Sequence, residues 1–155
     1  MPAVDPRIAI RIADEADIDV LARLRRTWSE ENAGQSIDDS DFDVSFRAWC
    51  KQEQHTRTFF LVEVDARPVG MANVKRYDRM PVAGRPTGGW WGYVGNVFVL
   101  QDYRNMGVGR VLMDGLIRWS FDAGAEHLRL APSPRSKSFY ERLGFEPGAV
   151  VQRDP

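Results

Sequence analysis

A β-rich apolar run, Val97-Phe-Val-Leu100, ends in Arg104-x-x-Gly107-x-Gly109, and a segment with helical spacing comes directly after it. This junction constrains the fold more tightly than any other stretch. A strand must turn almost directly into a helix, and the two glycines leave bare backbone N–H groups at the turn. Such groups approach a ligand closely, and a helix start adds partial positive charge, so the junction suits a diphosphate. Three other readings of the same residues stay open. A dinucleotide-binding fingerprint would want a third small residue where Leu112 stands and an acidic residue about twenty positions on, which is not clearly present. A P-loop would need Gly-Lys-Ser/Thr, which is absent. The third reading is a tight strand-to-helix turn with no ligand.

The remaining segments alternate between the two basic periods. Ile8-Ala-Ile-Arg-Ile12 alternates apolar and charged residues and reads as a strand with one buried face. Asp14 is placed as an N-cap, with Asp17 three residues on as a variant capping box. Ile18, Leu21, Leu24 and Trp28 then fall at helical spacing until Asn32-Ala-Gly34. Phe42, Phe46 and Trp49-Cys50 predict a second, shorter helix. Thr56 to Val64 and Val69 to Tyr77 read as a hairpin about the turn Asp65-Ala-Arg-Pro68. Asp78 to Gly92, with two prolines and four glycines, reads as a loop. Tyr93 to Leu100 is the strand that enters the glycine motif. The helix after it carries Val108, Val111, Leu112, Leu116 and Trp119, with Gly124 as its C-cap. His127 to Ala131 is a further strand, Arg135 to Leu143 a helix, and Ala149 to Gln152 a short last strand. No linker is long enough to divide the chain, so residues 1–155 are expected to form one domain.

About thirty residues beyond the glycines lies Ser138-Phe-Tyr-Glu-Arg-Leu-Gly-Phe145, an aromatic helix ending at a glycine. The two motifs at this spacing resemble the GCN5-related N-acetyltransferase (GNAT) superfamily, whose members move an acetyl group from acetyl-coenzyme A to an amine. The resemblance covers almost the whole length, although its specific motifs occupy only residues 93–145. It implies an α/β (α+β) fold: a mixed, mostly antiparallel central sheet flanked by helices. It also implies acetyl-CoA as cosubstrate, with no metal. The family's Gln/Arg-x-x-Gly-x-Gly/Ala motif maps onto Arg104, Gly107 and Gly109, and Asn105, Met106, Val108 and Arg110 would supply further backbone donors. A guanidinium of Arg104 or Arg110 would add a charge-assisted contact. The strand before the motif is expected to bulge and splay from the one at His127 to Ala131. Pantetheine would pair in that gap with the main chain of Phe98, Val99 and Leu100. One of those N–H groups would polarise the thioester carbonyl.

The family's second motif, Asn-x-x-Ala-x-x-Φ-Tyr with Φ apolar, maps onto Ser133, Ser136, Phe139 and Tyr140 and runs on to Gly144 and Phe145. Serine therefore replaces both Asn and Ala. Tyr140 would protonate the departing thiolate as general acid. The plainer reading of Tyr140 is a tyrosine packed in the core. Many relatives place a general-base glutamate on the strand before the glycines, where this chain has Gly95 and Asn96. An amide is no base, so Asn96 would position a water. Glu30 and Glu31 are the other candidates, against the plain reading of a solvated acidic helix end.

From Glu30 to Asp43 there are six carboxylates and no Lys or Arg. The resembled fold walls its acceptor side with this region, and a negative wall would concentrate a cationic amine. Solvated N-caps and loop residues are the alternative. Trp90 and Trp91, in Gly88-Gly-Trp-Trp-Gly92, would form an aromatic wall for the acceptor, or else cover core, an edge or a dimer contact. The expected reaction is direct transfer to a primary amine of a small, cationic acceptor. A protein N-terminus, a lysine or a charged tRNA is the alternative acceptor, and a non-catalytic acyl-CoA sensor the alternative class.

Composition narrows the partners. The net charge of −1 and the lack of a basic stripe argue against nucleic acid. No apolar run approaches the roughly 20 residues that span a bilayer. One cysteine, Cys50, makes no internal disulfide and lies apart from both motifs, which predicts a reduced, cytoplasmic protein and no acetyl-cysteine route. Two histidines, His55 and His127, with one cysteine make no zinc-type cluster. Homodimers are common in the resembled family, so self-association is a further expectation.

Overall fold

Five strands form one sheet in the order β1-β2-β3-β4-β5 in the computed structural model, which describes residues 3 and 5–148. They are β1 (Ile8–Ile12), β2 (Arg57–Val64), β3 (Arg67–Asp78), β4 (Trp90–Val99) and β5 (Ala125–Arg129). The first three pairings are antiparallel and the last is parallel. A parallel pair needs a crossover, and α3 (Val108–Asp122) supplies it. The others are α1 (Ile18–Ala33), α2 (Phe42–Glu53) and the short α4 (Lys137–Arg142). This is the mixed, mostly antiparallel α/β arrangement expected from the sequence.

Strand alternation divides the interior in two. Phe60, Val62, Ala72 and Val74 pack with Leu112, Met113 and Leu116 of α3 and with Tyr140 of α4. Leu61, Met71 and Phe98 point the other way, against Leu21 and Leu24 of α1 and Phe46 and Cys50 of α2. Each face is buried because a helix offers an apolar stripe to it.

The termini of α1 obey the sequence signals. Asp14 accepts from the Ala16 N–H at 2.9 Å and Asp17 accepts from the Asp14 N–H at 2.9 Å, closing the box over a 3₁₀ turn that runs into the helix. Gly34 ends the helix at φ 70°, a conformation that favours glycine. Asp17 also receives two hydrogen bonds from Arg11, at 2.7 and 2.8 Å. Those bonds, with the Asp14 N–H, lower its pKa to about 2.

Several boundaries differ from expectation. The hairpin turn is only Asp65-Ala66, at φ 48° and 64°, so Arg67 and Pro68 already belong to β3. Pro68 fits there because it faces Glu63 beside a register shift, the kind of irregularity at which a strand accepts proline. The loop after β3 is shorter than expected, since β4 begins at Trp90. The glycines beside the two tryptophans suggest a loop, but the Trp90 indole is buried and its Nε1–H donates to the Ala123 carbonyl at 3.2 Å. That anchor pulls the segment into the sheet. β5 starts two residues early, directly after Gly124 at φ 95°. The expected strand at 149–152 lies outside the described residues. No helix among the described residues is long and apolar enough to cross a membrane.

Candidate active site

β4 is irregular at its middle. Asn73 pairs with Gly95 and Met71 with Phe98, so Asn96 and Val97 together oppose the single residue Ala72. This is a β-bulge, and Asn96 sits in it at φ 56°, which Asn tolerates better than most residues. The extra residue inverts the strand. Val94 packs on the α3 side, whereas Phe98, four residues on, packs on the α1–α2 side. Pairing with β5 extends only from Trp90↔Ala125 to Tyr93↔Arg129, so among the described residues the rest of β4 has no partner strand on that side.

The direction of the free backbone groups is set by one bond. Leu100 N–H donates to the Val69 carbonyl at 2.8 Å. Alternation then turns Phe98 toward β3 as well and directs the amides of Val97 and Val99 to the open edge. Phe98, expected among the main-chain contacts, stacks its ring on Trp28 at 5.6 Å and 9°, and its backbone faces β3. The edge amide beside that of Val99 is therefore the one of Val97. The signal for it is the alternation counted back from the glycine motif.

Beyond Val99 the chain makes a 3₁₀ turn (Gln101–Tyr103), then Asn105 at φ 61° and Gly107 at φ 82°, and enters α3. The first helical bond runs from the Val111 N–H to the Gly107 carbonyl, at 3.1 Å. The N–H groups of Val108, Gly109 and Arg110 precede it, and no side chain caps the helix. A Cβ at Gly107 would meet nothing within 4 Å, so its backbone angle, not space, calls for glycine there. A Cβ at Gly109 would lie 3.6 Å from Phe139 of α4 and 3.9 Å from Val99, which places the loop, α4 and β4 side by side. Met106 is exposed. Arg110 is exposed and lies 3.5 Å from Asp114. Arg104 is engaged elsewhere: Nε–H donates to the Val99 carbonyl at 2.9 Å, and Nη2 reaches Glu31 at 2.7 Å. It ties the end of α1 to β4 instead of pointing a free charge at the loop.

Tyr140 lies on α4, buried, edge-on to Phe139 and Phe145 at 5.1 and 6.0 Å. Burial raises its pKa above the ordinary phenol value, so the hydroxyl keeps its proton through neutral pH. Ser133 and Ser136 turn the chain into α4. Their hydroxyls lie 2.9 Å apart, and the Ser136 N–H donates to the Ser133 carbonyl at 3.0 Å.

On the α1–α2 face, Asn96 borders a cavity of about 180 Å³ lined also by Arg25, Phe42, Phe46, Trp49, Phe59 and Met71. A polar chain runs beside it. Glu53 accepts from Lys75 and Arg57, both at 2.8 Å, and these bonds lower its pKa. Arg57 Nη1 donates to Asn73 Oδ1 at 2.7 Å, and Asn73 Nδ2 donates to Asn96 Oδ1 at 2.8 Å. Asn73 is fully buried.

Glu30 and Glu31 do not border that cavity. Glu30 accepts weakly from the Ile37 N–H at 3.3 Å and lies 3.8 Å from Arg26, while Glu31 pairs with Arg104. The two tryptophans lie at the start of β4, the end opposite the glycine loop. Trp90 is 3% exposed and belongs to the core. Trp91 is stacked between Tyr77 at 4.5 Å and His127 at 5.7 Å, so both faces of its ring are covered. Neither tryptophan lines the cavity beside Asn96, which lies five residues further along β4 than Trp91.

The acetyltransferase (GNAT) family model matches residues 21–145. A "putative acetyltransferase" of Bacillus subtilis (strain 168) is 27% identical over 135 residues, covering 87% of this chain and 80% of that protein. A "predicted acetyltransferase" of Clostridium acetobutylicum, solved with acetyl-CoA, has a TM-score of 0.74 at 18% identity, and the match covers 96% of each chain. The aminoglycoside N-acetyltransferase AAC(6')-Iy, solved with CoA, has a TM-score of 0.70 at 19% identity and covers 98% of each.

Proposed function

The chain belongs to the acetyltransferase (GNAT) family, and from that membership we propose that it moves the acetyl group of acetyl-CoA directly to a primary amine. The observation that carries this reading is the bulged β4, whose edge, without a partner strand among the described residues, runs straight into the uncapped start of α3. An open strand edge pairs with an extended amide-bearing arm, and a helix start with spare N–H groups suits a diphosphate. Pantetheine would lie along Val97 and Val99, and the diphosphate at Gly107, Val108, Gly109 and Arg110. Asn105 and Met106 would form the outer wall of that loop, and Ser133 and Ser136 would line the far side through the turn into α4.

Acetyl-CoA supplies an activated thioester, and the protein supplies orientation and protons. The edge N–H of Val97 or Val99 would polarise the thioester carbonyl. As the acceptor nitrogen bonds the acetyl carbon and the C–S bond breaks, Tyr140 would give its proton to the sulfur, and the nitrogen would lose one to solvent. A phenol whose pKa is raised by burial holds its proton until that moment. Asn96 offers no proton acceptor, since its amide oxygen is already bonded to Asn73. Cys50 is buried with a raised thiol pKa, which supports direct transfer over an acetyl-cysteine route.

Calorimetric titration with acetyl-CoA tests the reading. Saturable binding is expected, with loss in a Gly107→Val, Gly109→Val variant shown by circular dichroism to be folded. Absence of binding to the wild-type protein would overturn it. A binding-only sensor would differ by releasing no CoA thiol with any amine.

A further inference from the structure

We infer that the acceptor carries a ring-sized apolar group and a carboxylate beside its amine, as a free aromatic or large aliphatic amino acid does. The inference rests on the acetyltransferase reading and names the substrate class of that same site.

The cavity that Asn96 borders decides the acceptor, because it opens beside the bulge where transfer would occur. Its walls are Phe42, Phe46, Trp49, Phe59 and Met71. Its volume of about 180 Å³ resembles that of an apolar protein cavity able to hold benzene, about 150 Å³. It therefore takes one ring or its aliphatic equivalent, and the rest of a long polyamine or of several sugar rings would lie outside its apolar walls. None of the six carboxylates between Glu30 and Asp43 lines it.

The two polar groups at the cavity both donate. Arg25 lies with its guanidinium carbon 4.6 Å over the Trp28 ring, and among the described residues it forms no ion pair, whereas Arg26, Arg47, Arg57 and Arg104 each have one. The polarity of Asn96 is fixed by elimination. A guanidinium only donates, so the Asn73 atom that Arg57 meets must be its oxygen. Asn73 then presents its NH₂ to Asn96, which must accept through Oδ1. What Asn96 has left for the cavity is its own NH₂. One cation and one amide donor beside an apolar pocket call for an anion, and a carboxylate accepts from both. A polycationic acceptor would meet Arg25 with no carboxylate to offset it.

Three acceptors at saturating acetyl-CoA separate the possibilities: L-phenylalanine, 2-phenylethylamine, which lacks the carboxylate, and spermidine. Thiol release gives kcat/KM, and quenching of tryptophan fluorescence in the CoA-loaded protein gives binding without turnover, since Trp49 lines the cavity. L-Phenylalanine is expected to lead 2-phenylethylamine by at least about tenfold, the scale of one charge-assisted hydrogen bond, and spermidine by more. Arg25→Gln should bring the first ratio close to one, and Arg25→Lys should restore part of it, which loss of folding would not do. Spermidine preferred, a ratio unmoved by Arg25→Gln, or no binding of L-phenylalanine to the CoA-loaded protein would each overturn the inference. Titration with acetyl-CoA, done first, separates the two readings. Binding of acetyl-CoA with spermidine preferred removes only the acceptor class, and no binding removes both.

Discussion

What α4 gives Tyr140, the acid of the proposed reaction, is a fixed position. An exposed phenol would also be protonated at pH 7, but the apolar contacts of α4 hold this one in place and raise its pKa further. Replacing it by phenylalanine keeps the packing and removes the proton. Tyr140→Phe is expected to lower kcat by about 10²- to 10⁴-fold, the range for general acid–base catalysis, with little change in acetyl-CoA affinity. Thiol-release kinetics beside calorimetry would show both, and an unchanged kcat would remove Tyr140 from the reaction. Asp17 carries a different kind of prediction. Its pKa lies near 2 in the folded chain, below the ordinary 3.8, so its pairing with Arg11 stabilises the protein above about pH 4. That stability fades as pH falls from about 4 to about 2. Asp17→Asn should therefore cost about 2 kcal/mol in urea unfolding at pH 7, with the gap from wild type narrowing over that interval. A gap that held constant down to pH 2 would mean the ion pair contributes nothing. The capping role of Asp14 and Asp17 is legible in the sequence because both partners lie within three residues. That of Arg104 is not: its partner Glu31 is 73 residues away, and nothing local distinguishes a guanidinium aimed at a phosphate from one bound to a helix end.

The bulge in β4 is an element-scale device, and its key residue can be isolated. Any replacement of Asn96 leaves the buried Asn73 NH₂ without its acceptor. Glycine keeps the positive φ without strain, while valine does not. Asn96→Val should thus be less stable than Asn96→Gly by about 1–2 kcal/mol, the cost of a left-handed conformation in an L-residue. Urea denaturation of the two variants gives the difference directly, with the lost hydrogen bond cancelling. Equal stability would mean position 96 does not hold that conformation in solution. The existence of every strand and helix within the described residues is legible, since apolar periods of two and near four are local properties. The ends are less so. Trp90 reads as loop because its glycine neighbours signal a turn, yet a bond to Ala123, 33 residues on, brings it into the sheet. The bulge itself is expected only from the family resemblance. Asn96 and Val97 carry no sequence mark of it, and only pairing with Ala72 reveals two residues facing one.

At the scale of the whole molecule, the split between β4 and β5 is a gap in an otherwise continuous sheet. Two apolar clusters lie on opposite faces of that sheet, and β4 belongs to both, giving Val94 to one and Phe98 to the other. The cavity beside Asn96 is likewise a product of the assembly. Arg25, Phe46, Phe59, Met71 and Asn96 come from five different elements, so no local motif marks it, and none of the six carboxylates between Glu30 and Asp43 lines it. A ligand that fills the gap exists only for the folded chain, because the unfolded chain has neither the edge nor the uncapped helix start. Its binding energy is therefore folding energy. At about one hundred times its dissociation constant, acetyl-CoA should stabilise the protein by about 2.7 kcal/mol. For a chain of this length that is a rise in Tm of roughly 5–10 °C. Scanning calorimetry of the wild type and of the folded Gly107→Val, Gly109→Val variant would measure it. Hydrogen exchange on the same samples adds the location, since protection should increase at the amides of Val97 and Val99 and at the first turn of α3. A rise in Tm without that protection would place the cosubstrate elsewhere on the molecule. Protection at both places, lost in the variant, would tie the bulge and the glycine loop to one bound molecule, because no other feature of the sheet would order the two together.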